Sequence, residues 1–275
     1  MAGADLATLL REGDFAGALA GAKDLVRKQP ANAAHRVLLF QLFTVGGEWD
    51  KALTQLEVVG ELDGLALPMV QTYREVLRCE TLRRGVFAGE RLPMLFGEPE
   101  PWVALLFEAL RMTTAGNHAQ ARQLREQVFE QAPASAGTID GQAFEWIADA
   151  DTRLGPMLEA IINGRYFWVP FSRIKTIELE APVDLRDLVW TPAQFTWANG
   201  GETVGFVPTR YCGSERHADN RVLLSRMTVW EDLGEETFIG HGQRLLATNA
   251  GDYPLLDTRR IEFSVGPADG DSAAE

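Results

Sequence analysis

Residues 153–171, RLGPMLEAIINGRYFWVPF, mark a change of hydrophobic period, and that change sets the class of fold open to this chain. Before it, apolar residues recur at helical spacing. After it, short runs rich in aromatic and β-branched residues are divided by Pro, Gly and Asp. A chain divided in this way is α+β, with helices gathered at one end and strands at the other. The expected division is a helical repeat domain over 1–139, a helix-plus-β domain over 140–265, and a tail over 266–275, GPADGDSAAE, of disordered composition.

The first part contains a repeat. Gly13-Asp14-Phe15 with Ala18-Leu19 recurs as Gly47-Glu48-Trp49 with Ala52-Leu53, an offset of 34 residues, and more loosely as Gly116-Asn117-His118 with Ala121. That period belongs to tetratricopeptide-like (TPR-like) helical hairpins, in which no pair buries its apolar face alone. Phe15, Leu19, Ala22 and Val26 share one helical face, and Pro30 and Pro133 each follow their glycine by 17 residues. Val37 to Phe43 and Trp102 to Leu110 are apolar nearly all round, as inner helices of a stack would be. The region 68–90 reads as a degenerate helix broken around Gly85 and Gly89, so that about three pairs are expected.

A helix is also expected from about Gln142 to Ile162, broken by Gly155-Pro156, before the strands begin. Strands are then expected at Phe167–Phe171, Ile174–Glu180, Leu185–Trp190, Phe195–Trp197, Thr203–Val207, Val222–Trp230 and Ile261–Val265, with Asn199-Gly200 as a hairpin turn.

Charge and motif content exclude several function classes. The net charge is −13 and concentrates in the second part, which repels phosphate backbones and argues against nucleic acid. No apolar run reaches the roughly 18 residues of a membrane span, and the N-terminus lacks a signal-peptide pattern. A cytoplasmic protein without membrane contact is the expectation. Cys79 and Cys212 stand far apart and outside any CxxC pair, so neither a disulfide framework nor a structural zinc site is expected. Phosphate-loop and dinucleotide fingerprints are missing, and no cofactor is expected. Glu215, His217 and Asp219 form the one compact acid/His cluster and read as a solvated loop, the alternative being a metal or catalytic site. Ser214 follows Gly213 without forming a GxSxG elbow. A non-enzymatic protein is the reading.

Two features stay open at this level. Tyr166-Phe167-Trp168, with Trp146, Trp190, Trp197 and Trp230, reads as a β core of large side chains, or else as a strand with one aromatic face exposed to a partner. Arg186 and Asp187 read as members of a buried ion-pair network with Arg210, Glu215 or Asp257, recognition by Arg186 being the alternative.

The ordered set Arg153-Leu154-Gly155-Pro156, Gly164-Arg165-Tyr166-Phe167-Trp168-Val169-Pro170, Leu185-Arg186-Asp187-Leu188-Val189-Trp190, Arg210-Tyr211-Cys212-Gly213-Ser214-Glu215, Gly242-Gln243-Arg244 and Leu255-Leu256-Asp257-Thr258-Arg259 resembles the ImpE family over about residues 5–263. The resemblance implies a bacterial type VI secretion accessory protein that is not an enzyme. As partners it implies the N-terminal helix of the small sheath subunit and, beyond it, the ClpV AAA+ ATPase that recycles sheath. A general TPR-like scaffold or chaperone for another client, such as a secreted effector, is the competing reading. As signature and partner-binding candidates the family pattern marks Arg153, Gly155, Pro156, Tyr166, Trp168, Pro170, Arg186, Asp187, Trp190, Tyr211, Gly213, Ser214, Glu215, Gln243, Asp257 and Arg259.

Overall fold

The structure, a computed structural model, describes residues 6–264; the expected tail over 266–275 lies outside the described residues. Seven helices come first: α1 (Leu6–Glu12), α2 (Phe15–Lys28), α3 (Ala33–Val45), α4 (Trp49–Leu62), α5 (Leu67–Phe87), α6 (Pro101–Thr114) and α7 (His118–Gln131), with a two-residue strand β1 (Met94–Leu95) between α5 and α6. The strands that follow are β2 (Gly137–Ile139), β3 (Gln142–Phe144), β4 (Ile147–Asp149), β5 (Met157–Ile162), β6 (Arg165–Pro170), β7 (Ile174–Leu179), β8 (Trp190–Trp197) and β9 (Glu202–Pro208). A short helix α8 (Asn220–Leu223) precedes β10 (Thr228–Asp232), β11 (Phe238–Gly242), β12 (Leu245–Thr248), β13 (Gly251–Pro254) and β14 (Arg260–Phe263). The α+β class is as the sequence suggests.

The repeated glycines fall at equivalent turns. Gly13, Gly47 and Gly116 all adopt positive φ, 83°, 68° and 78°, in the turns that end α1, α3 and α6. In each turn the glycine amide donates to the carbonyl three residues back and the next amide to the carbonyl five back: Gly47 to Thr44 and Glu48 to Phe43, with the same pattern at 13/14 and 116/117. That arrangement satisfies the last carbonyls of a helix and requires a left-handed residue, which glycine adopts without a Cβ clash. The repeat is therefore a repeat of helix-ending turns. At 67–87, by contrast, the expected break does not occur. α5 runs unbroken through Gly85, because neighbouring side chains bury Val76, Leu77, Glu80, Arg83, Val86 and Phe87 along it, and Gly89 supplies the terminating turn.

Nine strands form one sheet in the order β1-β6-β5-β9-β8-β7-β14-β2-β3, alongside a three-stranded sheet β13-β12-β4 and the ribbon β10-β11. β1 pairs in parallel with β6, so the helical part supplies an edge of the large sheet. β2 also joins this sheet before residue 140, and the boundary expected at 139/140 falls within the β2–β3 hairpin turn.

The helix expected over 142–162 is replaced by β3, β4 and β5. All six residues of β5, MLEAII, are buried. Met157 and Ile161 join the core shared with the helices, whereas Leu158, Ala160 and Ile162 join a second core on the opposite face. A strand covered on both faces loses its alternation and reads like a buried helix. Two further expected strands are corrected by polar side chains that bond to nearby backbone. At 183–189 the Asp187 carboxylate accepts from the Val183 and Asp184 amides and Asp184 accepts from the Arg186 amide, so a turn precedes β8, and only Trp190 of that run is a strand residue. At 220–223 Asp219 accepts from the Arg221 amide and caps α8, and the strand begins only at Thr228. Asn199-Gly200 does turn β8 into β9, but only Gly200 takes a positive φ.

Candidate functional site

The face of the large sheet that meets α5 carries the densest chemistry in the molecule. Alternation along β6 sends Tyr166 and Trp168 toward the helices, where both are fully buried, and Phe167 toward the other core. Trp168 packs between Phe87 and Phe107, with ring centroids 5.6 and 5.4 Å away. Trp190 packs against Trp49 and Tyr73 at 6.0 and 5.9 Å. These aromatics thus join the two parts of the chain, while Trp146 and Trp230 remain 42% and 39% exposed.

Beneath the aromatics lies a layer of buried charge. Glu159, the one charged residue of β5, receives both Nε and Nη2 of Arg83 at 2.6 and 2.9 Å. The same carboxylate accepts from the Tyr166 hydroxyl and from Arg244, whose guanidinium also reaches Asp149. Trp168 Nε1 donates to the Tyr166 oxygen at 2.7 Å, and Trp190 Nε1 to Glu80 at 2.7 Å, with Glu80 in turn 3.5 Å from Arg83. Arg153 clamps Asp151 through Nε and Nη2 at 2.9 and 2.6 Å and lies over the Phe87 ring at 4.6 Å. Arg210 donates to the carbonyls of Leu223 and Thr44 and offers its own carbonyl to Arg83. Four arginines (Arg83, Arg153, Arg210, Arg244) therefore offset four carboxylates (Glu80, Asp149, Asp151, Glu159), all buried.

Neutrality with full hydrogen bonding is the condition under which charge can stay buried. Burial alone would raise the Glu159 carboxyl, but Arg83 and Arg244 overcome it and hold it at about 2. Burial pushes Asp149 up to about 7, partly opposed by Arg244 and reinforced by Asp151. Burial lowers Arg210 to about 10, its partners being mainly carbonyls. Burial also raises the thiols of Cys79 and Cys212 to about 12, which leaves neither as a ready nucleophile.

A cleft of about 850 Å³ opens above this layer, between the α3–α4 turn, the last turns of α5 and the 212–216 loop. Arg153, Phe87, Trp49 and Cys212 line it, together with the exposed Arg84, Arg91 and Arg216. The α3–α4 turn touches the loop directly: a side chain at Gly47 would collide with Cβ and Cγ of Glu215.

The signature residues divide by location. Arg153, Tyr166, Trp168 and Trp190 belong to the buried layer and its aromatic cover. Tyr211 stacks beneath Arg244 at 5.3 Å and bonds Leu245 through its hydroxyl. Ser214 donates to the Tyr211 carbonyl at 2.6 Å and accepts from the Gly242 amide at 2.8 Å, while Gly213 turns the chain at φ 94°. Gln243 ties Ser225 to Leu256. Gly155 makes its tight turn, at φ 52°, against the Phe129 ring; Pro156 accepts from the Phe171 amide, and Pro170 ends β6. Arg186 and Asp187 do not pair with Arg210, Glu215 or Asp257. Arg186 pairs with Asp184 and lies over Tyr73 at 4.6 Å, while Asp187 serves its own turn. Asp257 and Arg259 are exposed and apart from the layer. Glu215, His217 and Asp219 do not converge: Glu215 packs on Gly47, His217 Nδ1 accepts from the Asp219 amide, and Asp219 pairs with Arg221.

Sequence reasoning missed Glu80, Arg83, Asp149, Asp151 and Glu159. A lone Glu inside MLEAII was the one available signal, since a charge within a buried run must be matched.

Comparison with known proteins gives this geometry its relatives. The sequence profile described as ImpE protein matches residues 141–262, which cover the strands from β3 onward, without β1 and β2, and all of the buried layer except Glu80 and Arg83. The type VI secretion system accessory component TagJ of Pseudomonas aeruginosa is 50% identical over 255 residues, 93% of this chain and 89% of that protein. The crystal structure of protein VPA1032 from Vibrio parahaemolyticus shares the fold at a TM-score of 0.87 and 24% identity, over 96% of this chain and 98% of that one. The chain therefore belongs to the ImpE family and is a homologue of the type VI secretion accessory component TagJ.

Proposed function

We propose that this protein is a non-enzymatic, cytoplasmic adaptor of type VI secretion whose stacked, TPR-like helical hairpins take up the N-terminal helix of the small sheath subunit, in a complex that extends to the ClpV ATPase. The observation that carries the reading is the α4–α5 turn, where Leu62, Leu65 and Leu67 are 41%, 93% and 44% exposed. Single exposed leucines are ordinary, but three within six residues form an apolar knob. Glu57 and Glu61, one turn apart on α4, are exposed beside it. An amphipathic helix docks through apolar anchors spaced by one turn, and flanking carboxylates would select a helix whose polar face carries Lys or Arg. No helix among the described residues is long and apolar enough to cross a membrane, which accords with a partner met in solution.

The test is a pull-down of purified small sheath subunit, with and without its first helix, on wild-type protein and on Leu65→Asp. Retention is expected only with the helix present and on the wild type. Equal retention of both sheath versions would overturn the reading.

A further inference from the structure

The cleft above the buried layer carries a second inference, which goes beyond the adaptor reading and does not depend on it. In a chain of net charge −13, three exposed arginines line one cavity: Arg84 from α5, Arg91 just beyond it, and Arg216 from the loop after β9. None of the three lies within ion-pair distance of a carboxylate among the described residues, unlike Arg78, Arg111, Arg122 and Arg260; exposed Arg165 and Arg226 share that state, but they do not line this cavity. The backbone accommodates them. Gly85 lies under the Arg91 stem, whose Cδ is 3.3 Å from where a Cβ would stand, and Gly213 lies similarly under the Arg216 guanidinium, 3.1 Å from Nη2.

The occupant must suit the rest of the lining. Glu48, which is paired with Lys51, and Asp50 and Glu90 stand on the same walls, and the mostly buried Trp49 and Phe87 add only narrow apolar edges. A polyphosphate concentrates several negative charges at one point and would meet those carboxylates. A peptide that spaces its carboxylates along an extended backbone can place each against one arginine and keep them clear of the wall carboxylates. Guanidinium forks suit carboxylates because two parallel N–H bonds match the two oxygens. The cavity, at about 850 Å³, is in the range of sites that enclose a ligand of several residues. We infer that this interdomain cleft is a docking site for an acidic peptide segment of a partner protein, held by Arg84, Arg91 and Arg216.

The experiment is fluorescence anisotropy of the full chain with a labelled peptide of alternating Glu and Ala, with the matching Gln peptide, and with pyrophosphate and ATP as competitors. Saturable binding of the Glu peptide that weakens as salt rises is expected, with the Gln peptide weaker by about tenfold or more. Reversing the charges in the double variant Arg84→Glu, Arg216→Glu should weaken the Glu peptide by about tenfold or more at unchanged melting temperature, because both side chains are exposed. Arg27→Glu, at an exposed position of α2 away from the cleft lining, should leave binding as in the wild type. Equal affinity for the two peptides, binding indifferent to the double reversal, no saturable binding at millimolar peptide, or tighter binding of pyrophosphate or ATP would each overturn the assignment.

Discussion

Arg83 and Arg84 are consecutive residues of one helix, and they belong to opposite regimes. Arg83 points into the joint between helices and sheet, is 3% exposed, and makes charge-assisted bonds to Glu159 and to the Arg210 carbonyl. Arg84 faces the cleft, is exposed, and has no carboxylate partner among the described residues. The buried layer and the cleft rim are built from the same residue types a few ångströms apart. What separates them is solvent. In the layer, each charge has given up water and depends on its partner, so its removal is felt as stability. On the rim, water supplies that role, and removal is felt only by whatever binds.

The sharpest way to break this comparison is to delete the buried member. Arg83→Ala leaves Arg244 as the one cation on Glu159, strips the Arg210 carbonyl of its donor and leaves Glu80 with Trp190 but no cation, so a loss of about 5 kcal/mol is expected by denaturant melts. A cost comparable to a surface mutation would mean that water enters the layer. Trp168→Ala is next: it removes the ring wedged between Phe87 and Phe107 and the donor to Tyr166, for about 4 kcal/mol, on the order of 10 °C in Tm. Weakened partner binding at unchanged Tm would instead make this ring an exposed anchor, which its complete burial opposes.

The layer also has a pH signature. Glu159 is held at about 2 against an ordinary value of 4.5, so its contribution is present above about pH 4.5 and is lost as pH falls toward 2. The wild type should forfeit about 3 kcal/mol over that interval through this group. Asp149, raised to about 7 from 3.8, acts with the opposite sign: its protonated form favours the fold, and that contribution fades as pH rises from about 4 to 7. The gap between thermal melts of wild type and Glu159→Gln should therefore be small near pH 2, open between pH 2 and 4.5, and stay level above that. A gap independent of pH would show that Glu159 is not ionised in the layer.

How much of this was legible in the chain depends on how far apart the interacting residues are. The turns at Gly13, Gly47 and Gly116 are local: each closes within six residues, so the glycine and its flanking apolar pattern carry the whole signal. The aromatic run 166–168 was legible as a strand whose faces differ, and the structure decides which face meets the helices. The charge layer is assembled from contacts 76, 95 and 110 residues apart in sequence, and no periodicity encodes such pairings. Arg186 and Asp187 misled because adjacent charges among apolar residues suggested a buried strand, whereas two aspartates were competing for the backbone and made a turn.

The smallest expected effect tests the comparison most closely. Arg84→Ala should change stability by less than about 0.5 kcal/mol, as a surface substitution on a helix does when no partner is left behind. Its neighbour Arg83 should cost roughly ten times more, although both are arginines on the same two turns of α5. Measured side by side in denaturant, the pair isolates the environment, since residue type, helix and position in the chain are shared. If Arg84→Ala proved nearly as costly as Arg83→Ala, the rim would be an extension of the buried layer, and the cleft would be part of the core rather than a place for a ligand. If only Arg83 matters for folding, the exposed arginines add nothing to the fold, and their shared place on one cavity is left to be explained by what they bind.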